Sequence, residues 1–195
     1  MITFYNFAGR IKGVPWNPNV WKIRYALNYK GIAYKTVWLE YPDIELPTVH
    51  HPSHYDNSTG TAIAEYLDKT YPSTPRLIPQ GTHALQGAFR DAFYLNAEYY
   101  EQTRCADMGV PTLEVLRVPA EARDAEWDKV KDAFGYVHGL MKENDDWIMG
   151  DTISFADFIV ASMVGVEWKN FMSWHGGRWE RLMAALDKYS AVPSL

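Results

Sequence analysis

Apolar and polar residues alternate from Ile2 to Phe7, then recur at helical spacing through Val20, Trp21, Ile23 and Leu27. The first pattern has the period of a strand and the second that of a helix. The helix is marked at both ends. Pro18 sits at the first helical position, where its missing amide costs nothing, Asn17 precedes it as a cap, and Gly31 follows Lys30 at a natural stop. Tyr34 to Leu39 reads as a second strand, so the unit is β-α-β and is expected to be parallel with a right-handed crossover. Leu46 to His50 reads as a third strand opened by proline, and Ser53 to Gly60 as turn chemistry leading to a hairpin return. Ile63 to Tyr71 is then helical and is ended by Pro72.

Beyond this point the pattern changes. Pro72 to Pro79 has the proline density of an interdomain linker. After it the apolar residues keep helical spacing over about Gly81–Thr103, Ala122–Glu143, Ser154–Lys169 and Arg178–Tyr189. The chain therefore divides into an α/β unit at 1–72, a linker at 73–80 and an all-α unit at 81–195. No internal repeat or low-complexity tract is visible.

Composition narrows the function classes. The chain has 195 residues, 47% of them hydrophobic and 15% aromatic, ample for a packed core. A formal charge of −5 without a long basic run argues against a nucleic-acid surface. Nowhere do 18 consecutive apolar residues occur, and Met1 to Asn6 lacks a basic segment followed by a long apolar run, so a cytoplasmic, non-membrane protein is expected. The single cysteine, Cys105, rules out an internal disulfide framework. A lone helical cysteine is ordinarily core filler. His50, His51 and His54 lie close together without a thiol or carboxylate cluster at ligand spacing, so no metal is expected there. Glu143 to Asp146 reads as a solvated loop.

Where chemistry can sit is suggested by Pro15 to Trp21. A strand followed by a capped helix opening presents backbone N–H groups and a positive dipole end to an anion or thiolate. Asn17 either only caps that helix or also donates from its amide to a ligand. Among the aromatics, Trp16, Trp38, Tyr100 and Trp174 are candidates for the wall of an aromatic pocket, with packing the alternative for each. Trp168, Trp174 and Trp179, near His175 and two glycines, either face a cleft or fix the last helix.

Specific strings add a resemblance. Gly150-Asp151-Thr152-Ile153-Ser154-Phe155-Ala156-Asp157-Phe158 resembles the helical-domain motif of the cytosolic glutathione transferases, with Ser154 as cap, Asp157 closing a capping box, and Ile153 and Phe158 placed as a hydrophobic staple. Trp21 to Gly31, Glu40 to Glu45, Ile63 to Tyr71 and Met172 to Trp179 resemble the fungal A class of these enzymes, which is allied to bacterial β-etherases. The resemblance implies a thioredoxin-like first domain, a helical-bundle second domain, and often a homodimer.

It also implies glutathione as co-substrate, with its thiolate attacking an apolar, aromatic electrophile. A free thiol has a pKa of about 8.5, so stabilising the anion raises its reactive fraction at neutral pH. On this reading Pro47 is the cis proline of the third strand, and the backbone of Leu46 pairs with the tripeptide. Asn17 stands where relatives carry a serine that donates to the sulfur; it keeps a donor but has no hydroxyl. Before Ile63, relatives carry an acidic residue and a serine that grip the γ-glutamyl end. Here Ser58, Thr59 or Thr61 could cap the helix and meet that carboxylate, or the stretch is an ordinary turn. The connection between Glu45 and Leu46 is short against the family's, which carries a further helix there. A non-catalytic carrier or sensor of aromatic small molecules is the alternative function on the same fold.

Overall fold

The computed structural model describes residues 2–7, 17–39, 58–95, 123–164 and 172–191. The expected third strand, Trp16, Leu46, Pro47, Tyr100, Cys105 and the three histidines at 50, 51 and 54 lie outside the described residues.

The first strands are the ones the alternation predicts. β1 (Ile2–Phe7) and β2 (Tyr34–Leu39) pair in parallel, with Ile2 opposite Tyr34 and Phe7 opposite Leu39. The connection contains α1 (Pro18–Tyr29), which starts at the proline and stops where Gly31 takes a φ of +66°. Only glycine adopts that left-handed conformation without a steric penalty.

The α1 helix buries two faces. Toward the sheet, the Arg24 guanidinium lies 5.4 Å from the Trp21 ring, 5.9 Å from Trp38 and 6.0 Å from Phe4. Arg24 is fully buried and, among the described residues, has no hydrogen-bond partner, so these ring faces are what meet its charge. Burial holds its pKa below the ordinary arginine value. The sequence treated Trp38 as a possible pocket wall, but in the structure it packs against this cation.

On its other side α1 meets α5 (Phe155–Val164), a helix whose ten residues are all buried. A helix apolar all round belongs at the centre of a fold. Tyr25 stacks on Phe158 at 6.0 Å and Tyr29 meets the same ring edge-on at 5.6 Å.

The α2 helix (Ser58–Thr70) begins earlier than the apolar spacing suggests. Ser58 to Gly60 was expected to be a turn and is the first part of this helix. Periodicity of apolar residues cannot register a short opening turn made of polar residues and glycine. At its far end Asp68 organises the proline-rich segment. Its carboxylate pairs with the buried Lys30 ammonium at 2.7 Å and accepts from the amides of Leu77 and Ile78. Leu77 and Ile78 are buried, and Leu77 returns its carbonyl to the amide of Phe155 at 2.8 Å. Residues that read as a spacer thus contribute to the core.

The remaining described helices are α3 (His83–Leu95), α4 (Arg123–Leu140) and α6 (Trp174–Leu186), followed by a single 3₁₀ turn at Asp187–Tyr189. Inside α6, His175, Gly176 and Gly177 have φ values of 52°, 68° and 72°, so regular helix resumes only at Arg178, the start the sequence indicated. Asn28 of α1 donates to the carbonyls of Tyr189 and Ala191, tying the chain end back to the first helix. The loop at 143–146 is largely exposed, as its charges imply. Its neighbouring carbonyls nevertheless have a partner the sequence did not suggest: those of Lys142, Glu143 and Asp145 collect the Arg178 guanidinium.

Candidate functional site

The opening of α1 is built as the sequence predicts. Asn17 has an extended backbone (φ −86°, ψ 119°), and its Oδ1 accepts from the Asn19 amide at 2.8 Å. Its carbonyl accepts from Val20 and Trp21 at 3.1 and 3.3 Å. Pro18 has no amide to give. One expectation changes as a result: the first turn has no spare N–H to offer a ligand, because each is absent or already bonded. What remains is the positive end of the dipole and the donor end of the Asn17 side chain, whose Oδ1 is committed to the cap.

The second helix opening lies next to the first. Lys22 donates from Nζ to Asn19 Oδ1 at 2.8 Å and packs against Gly60, where a Cβ would fall 2.7 Å from Lys22 Cε and 3.0 Å from Nζ. Lys22 therefore bridges the first turns of α1 and α2. On the far side, Arg90 of α3 donates to Thr61 Oγ1 at 3.2 Å while pairing with Asp91 at 2.6 Å. Burial, reinforced by the nearby Arg90 charge, pushes the Lys22 pKa down to about 8. Neither helix has an acidic residue in its first turn. Two helix starts and the Lys22 ammonium, with Arg90 beside them already paired to Asp91, make this a positive corner suited to a carboxylate or thiolate.

The expected residues fall into two groups. Asn17 and the backbone of Ser58 and Thr59 belong to this corner, since Ser58 and Thr59 open α2. Thr61 does not cap that helix; it is the fourth helical residue, and its hydroxyl accepts from Arg90. Trp174 sits elsewhere, at the head of α6 against α4. It is half-buried, edge-on to Trp127 at 6.4 Å, with the Lys131 ammonium 5.9 Å from its ring. Trp179, by contrast, is fully buried and packs edge-on against Phe134 at 5.1 Å, so it is core. Lys22, Gly60 and Arg90 were missed. The available signal was a lysine three residues after Asn19, among the apolar positions of a helical run.

Among the described residues no group of histidine, cysteine and carboxylate side chains could hold a metal ion. Among them, too, no helix is long and apolar enough to cross a membrane.

Comparison with known proteins connects this geometry to a family. The family model for the glutathione S-transferase C-terminal domain matches residues 94–189. The glutathione S-transferase CsGST63524 of Ceriporiopsis subvermispora, solved in complex with glutathione, is 33% identical, with each chain covered to 99% and a TM-score of 0.79. The chain belongs to the glutathione S-transferase family. Glutathione transferase GSTFuA2 from Phanerochaete chrysosporium is 31% identical over 98% of each chain, with a TM-score of 0.75. The glutathione S-transferase-like protein ustS of Aspergillus flavus is 38% identical, but that match spans only 40% of this chain and 38% of the relative's length.

Family membership fixes the architecture as a thioredoxin-like α/β unit followed by a helical domain, as the sequence resemblance implied. The Ser154–Asp157 string lies within the matched residues, and here it is a structural device. Asp157 Oδ2 accepts from the Ser154 amide at 2.7 Å and its hydroxyl at 3.1 Å, while Oδ1 accepts from the Ile148 amide at 2.7 Å. This is the reciprocal half of a capping box. The other half is replaced, because the Ser154 hydroxyl turns to the carboxylate and the Asp157 amide bonds the Ser154 carbonyl. Burial pushes the Asp157 carboxyl up to about 6 against the pull of these hydrogen bonds.

Proposed function

We propose that this protein binds glutathione and transfers its thiolate to an apolar, aromatic electrophile. The observation that carries the reading is the positive corner where the openings of α1 and α2 meet at Lys22. Its support from outside is a 33% identical structure, covered almost end to end, that was solved with glutathione. In this reading the first turn of α2, with Ser58 and Thr59, faces the γ-glutamyl carboxylate. The backbone of Leu46 pairs with the tripeptide beside Pro47, and the Asn17 amide donates to the sulfur. The thiol proton passes to solvent. A carbon–sulfur bond then forms as the electrophile's leaving group departs with its bonding electrons, giving a conjugate or, for an aryl ether, a cleaved ether. Trp16, Tyr100 and Trp174 provide the aromatic wall.

Asn17 sets the expected rate. An asparagine donor can hold a thiolate but cannot rotate a hydroxyl toward it. Replacing it with serine keeps an adequate cap and supplies that hydroxyl, so Asn17→Ser is expected to raise glutathione conjugation of an aryl halide by about tenfold, about 1.4 kcal/mol. An unchanged rate, with glutathione binding intact by calorimetry, would remove Asn17 from the reaction.

A second reading has a specific observation in its favour. With Asn17 Oδ1 and the first-turn amides already engaged, the site offers a thiolate fewer donors than a helix opening can. A carrier of aromatic compounds on the same fold would show tight binding of a fluorescent aromatic ligand and no heat with glutathione. We also infer a cytoplasmic homodimer whose two domains are joined at residues 73–80. Exposed Ile63 and Tyr66 on α2 and Leu85 on α3 support an apolar contact between copies. Sedimentation of a Tyr66→Glu variant as a monomer, against a dimeric parent, tests it.

A further inference from the structure

The head of α6 holds an arrangement that the proposed transfer chemistry does not use. His175 stands at φ 52°, followed by two glycines that are also left-handed, so three consecutive residues depart from helix geometry. A non-glycine residue in this region persists only where its surroundings hold it. The hold on His175 is visible. Its Nδ1 accepts from the Trp179 indole N–H at 2.9 Å, and its ring stacks on His138 of α4 with centroids 5.0 Å apart. His138 in turn accepts at Nδ1 from Arg178 Nε at 2.9 Å. Gly135 leaves space for the imidazole: a Cβ there would lie 3.1 Å from His175 Nε2.

The donors fix the role of each Nδ1. An indole nitrogen only donates, and a guanidinium stays protonated throughout the accessible pH range. Each Nδ1 therefore accepts in this arrangement, and His175 in its neutral form carries its proton on Nε2. We propose that His175 is a proton-operated latch: neutral, it clamps the left-handed turn at 175–177 onto Trp179; protonated, it releases that turn and shifts Trp174 beside it.

The consequence of adding a proton follows from the bonding. An imidazolium carries hydrogen on both nitrogens, so its Nδ1–H would oppose the Trp179 N–H and leave a fully buried indole without an acceptor. The surrounding groups do not welcome the charge. Lys131 and His138 face the ring from α4, and Arg178 faces it from α6; burial and these three neighbours hold the His175 pKa below the ordinary histidine value. Arg181 donates to the Gly176 carbonyl, and Glu180 is the nearby acid, its Oε2 3.7 Å from where a Gly177 Cβ would be. Because the folded-state pKa is depressed, the latch contributes stability above the unfolded value of 6.5 and loses it as pH falls.

The test needs no substrate. Asparagine at 175 places an oxygen near the position of Nδ1, tolerates a positive φ and cannot be protonated. Between about pH 7.5 and about pH 5.5 the parent protein is expected to lose about 3 °C more in melting temperature than His175→Asn, the scale of one lost interaction in a chain of this size. Asp157 titrates in the same range with the opposite sign but is common to both proteins, so it cancels in the comparison. The Trp179 indole proton resonance should move with pH in the parent and stay fixed in the variant. Equal pH slopes in the two proteins would overturn the latch. Should the variant fail to fold, the imidazole tautomer is read by nitrogen NMR in the parent itself, and a proton found on His175 Nδ1 at neutral pH would also overturn it.

Discussion

Two helices in this molecule begin in chemically similar ways and end up serving different purposes. The α5 opening is closed by the protein itself: the Phe155 amide bonds Leu77 O, the Ala156 amide bonds Gln86 Oε1 at 2.9 Å, and the Asp157 carboxylate gathers three donors. The α1 opening has a cap but no acid, and its nearest cation, Lys22, reaches across to α2. A helix start whose positive end is neutralised from within is a structural joint. One that, among the described residues, meets no acid is the opening the proposed function assigns to a ligand.

The largest expected effect comes from breaking the closed opening. Asp157→Ala strips acceptors from two backbone amides and a hydroxyl in a buried site, and should cost about 3–5 kcal/mol, read from the midpoint of a urea titration. At the open end, Asn17→Ala loses one cap and should cost about 1 kcal/mol by the same titration. Asn17→Asp separates the two roles. Aspartate caps as well as asparagine, so stability should stay within about 0.5 kcal/mol, while its negative charge should repel a thiolate and abolish glutathione-dependent turnover. Turnover that survives this change would place the sulfur elsewhere.

The smallest effects are pH slopes of opposite sign. Asp157 has a folded-state pKa raised from 3.8 to about 6, so the protonated acid favours folding, and that contribution is lost as pH rises toward and through about 6. Lys22 has a folded-state pKa lowered from 10.5 to about 8, so stability should climb as pH rises from there toward 10.5. Replacing Lys22 with methionine should flatten the alkaline slope alone, which thermal melts across that range can follow.

Both helix openings were legible in sequence. Ser154 and Asp157 stand three residues apart, the spacing at which a cap residue and an acid meet, and Asn17-Pro18 announced a helix start just as plainly. Such signals are local, so the chain carries them without reference to its fold. The roles of Leu77 O and Gln86 Oε1 as partners of α5 depend on segments brought together from 70 or more residues away, and no spacing rule reveals them. The same holds for Lys22. Read locally it is a lysine on an apolar helix; only the approach of α2 makes it a bridge. The Ser58 start of α2 could not be told from a turn because its first turn is polar, and packing could not be chosen over a pocket wall for Trp38 because its cation, Arg24, is on a different element. Pro47 and Leu46 lie outside the described residues, and their roles rest on the family resemblance alone.

The missing side chain at Gly60 makes two helices interdependent. Any larger residue there would meet the end of the Lys22 side chain, so a change at position 60 must push that flexible stem aside. An engineered chimaera that takes both helices from one parent keeps the Lys22–Gly60 contact as it stands.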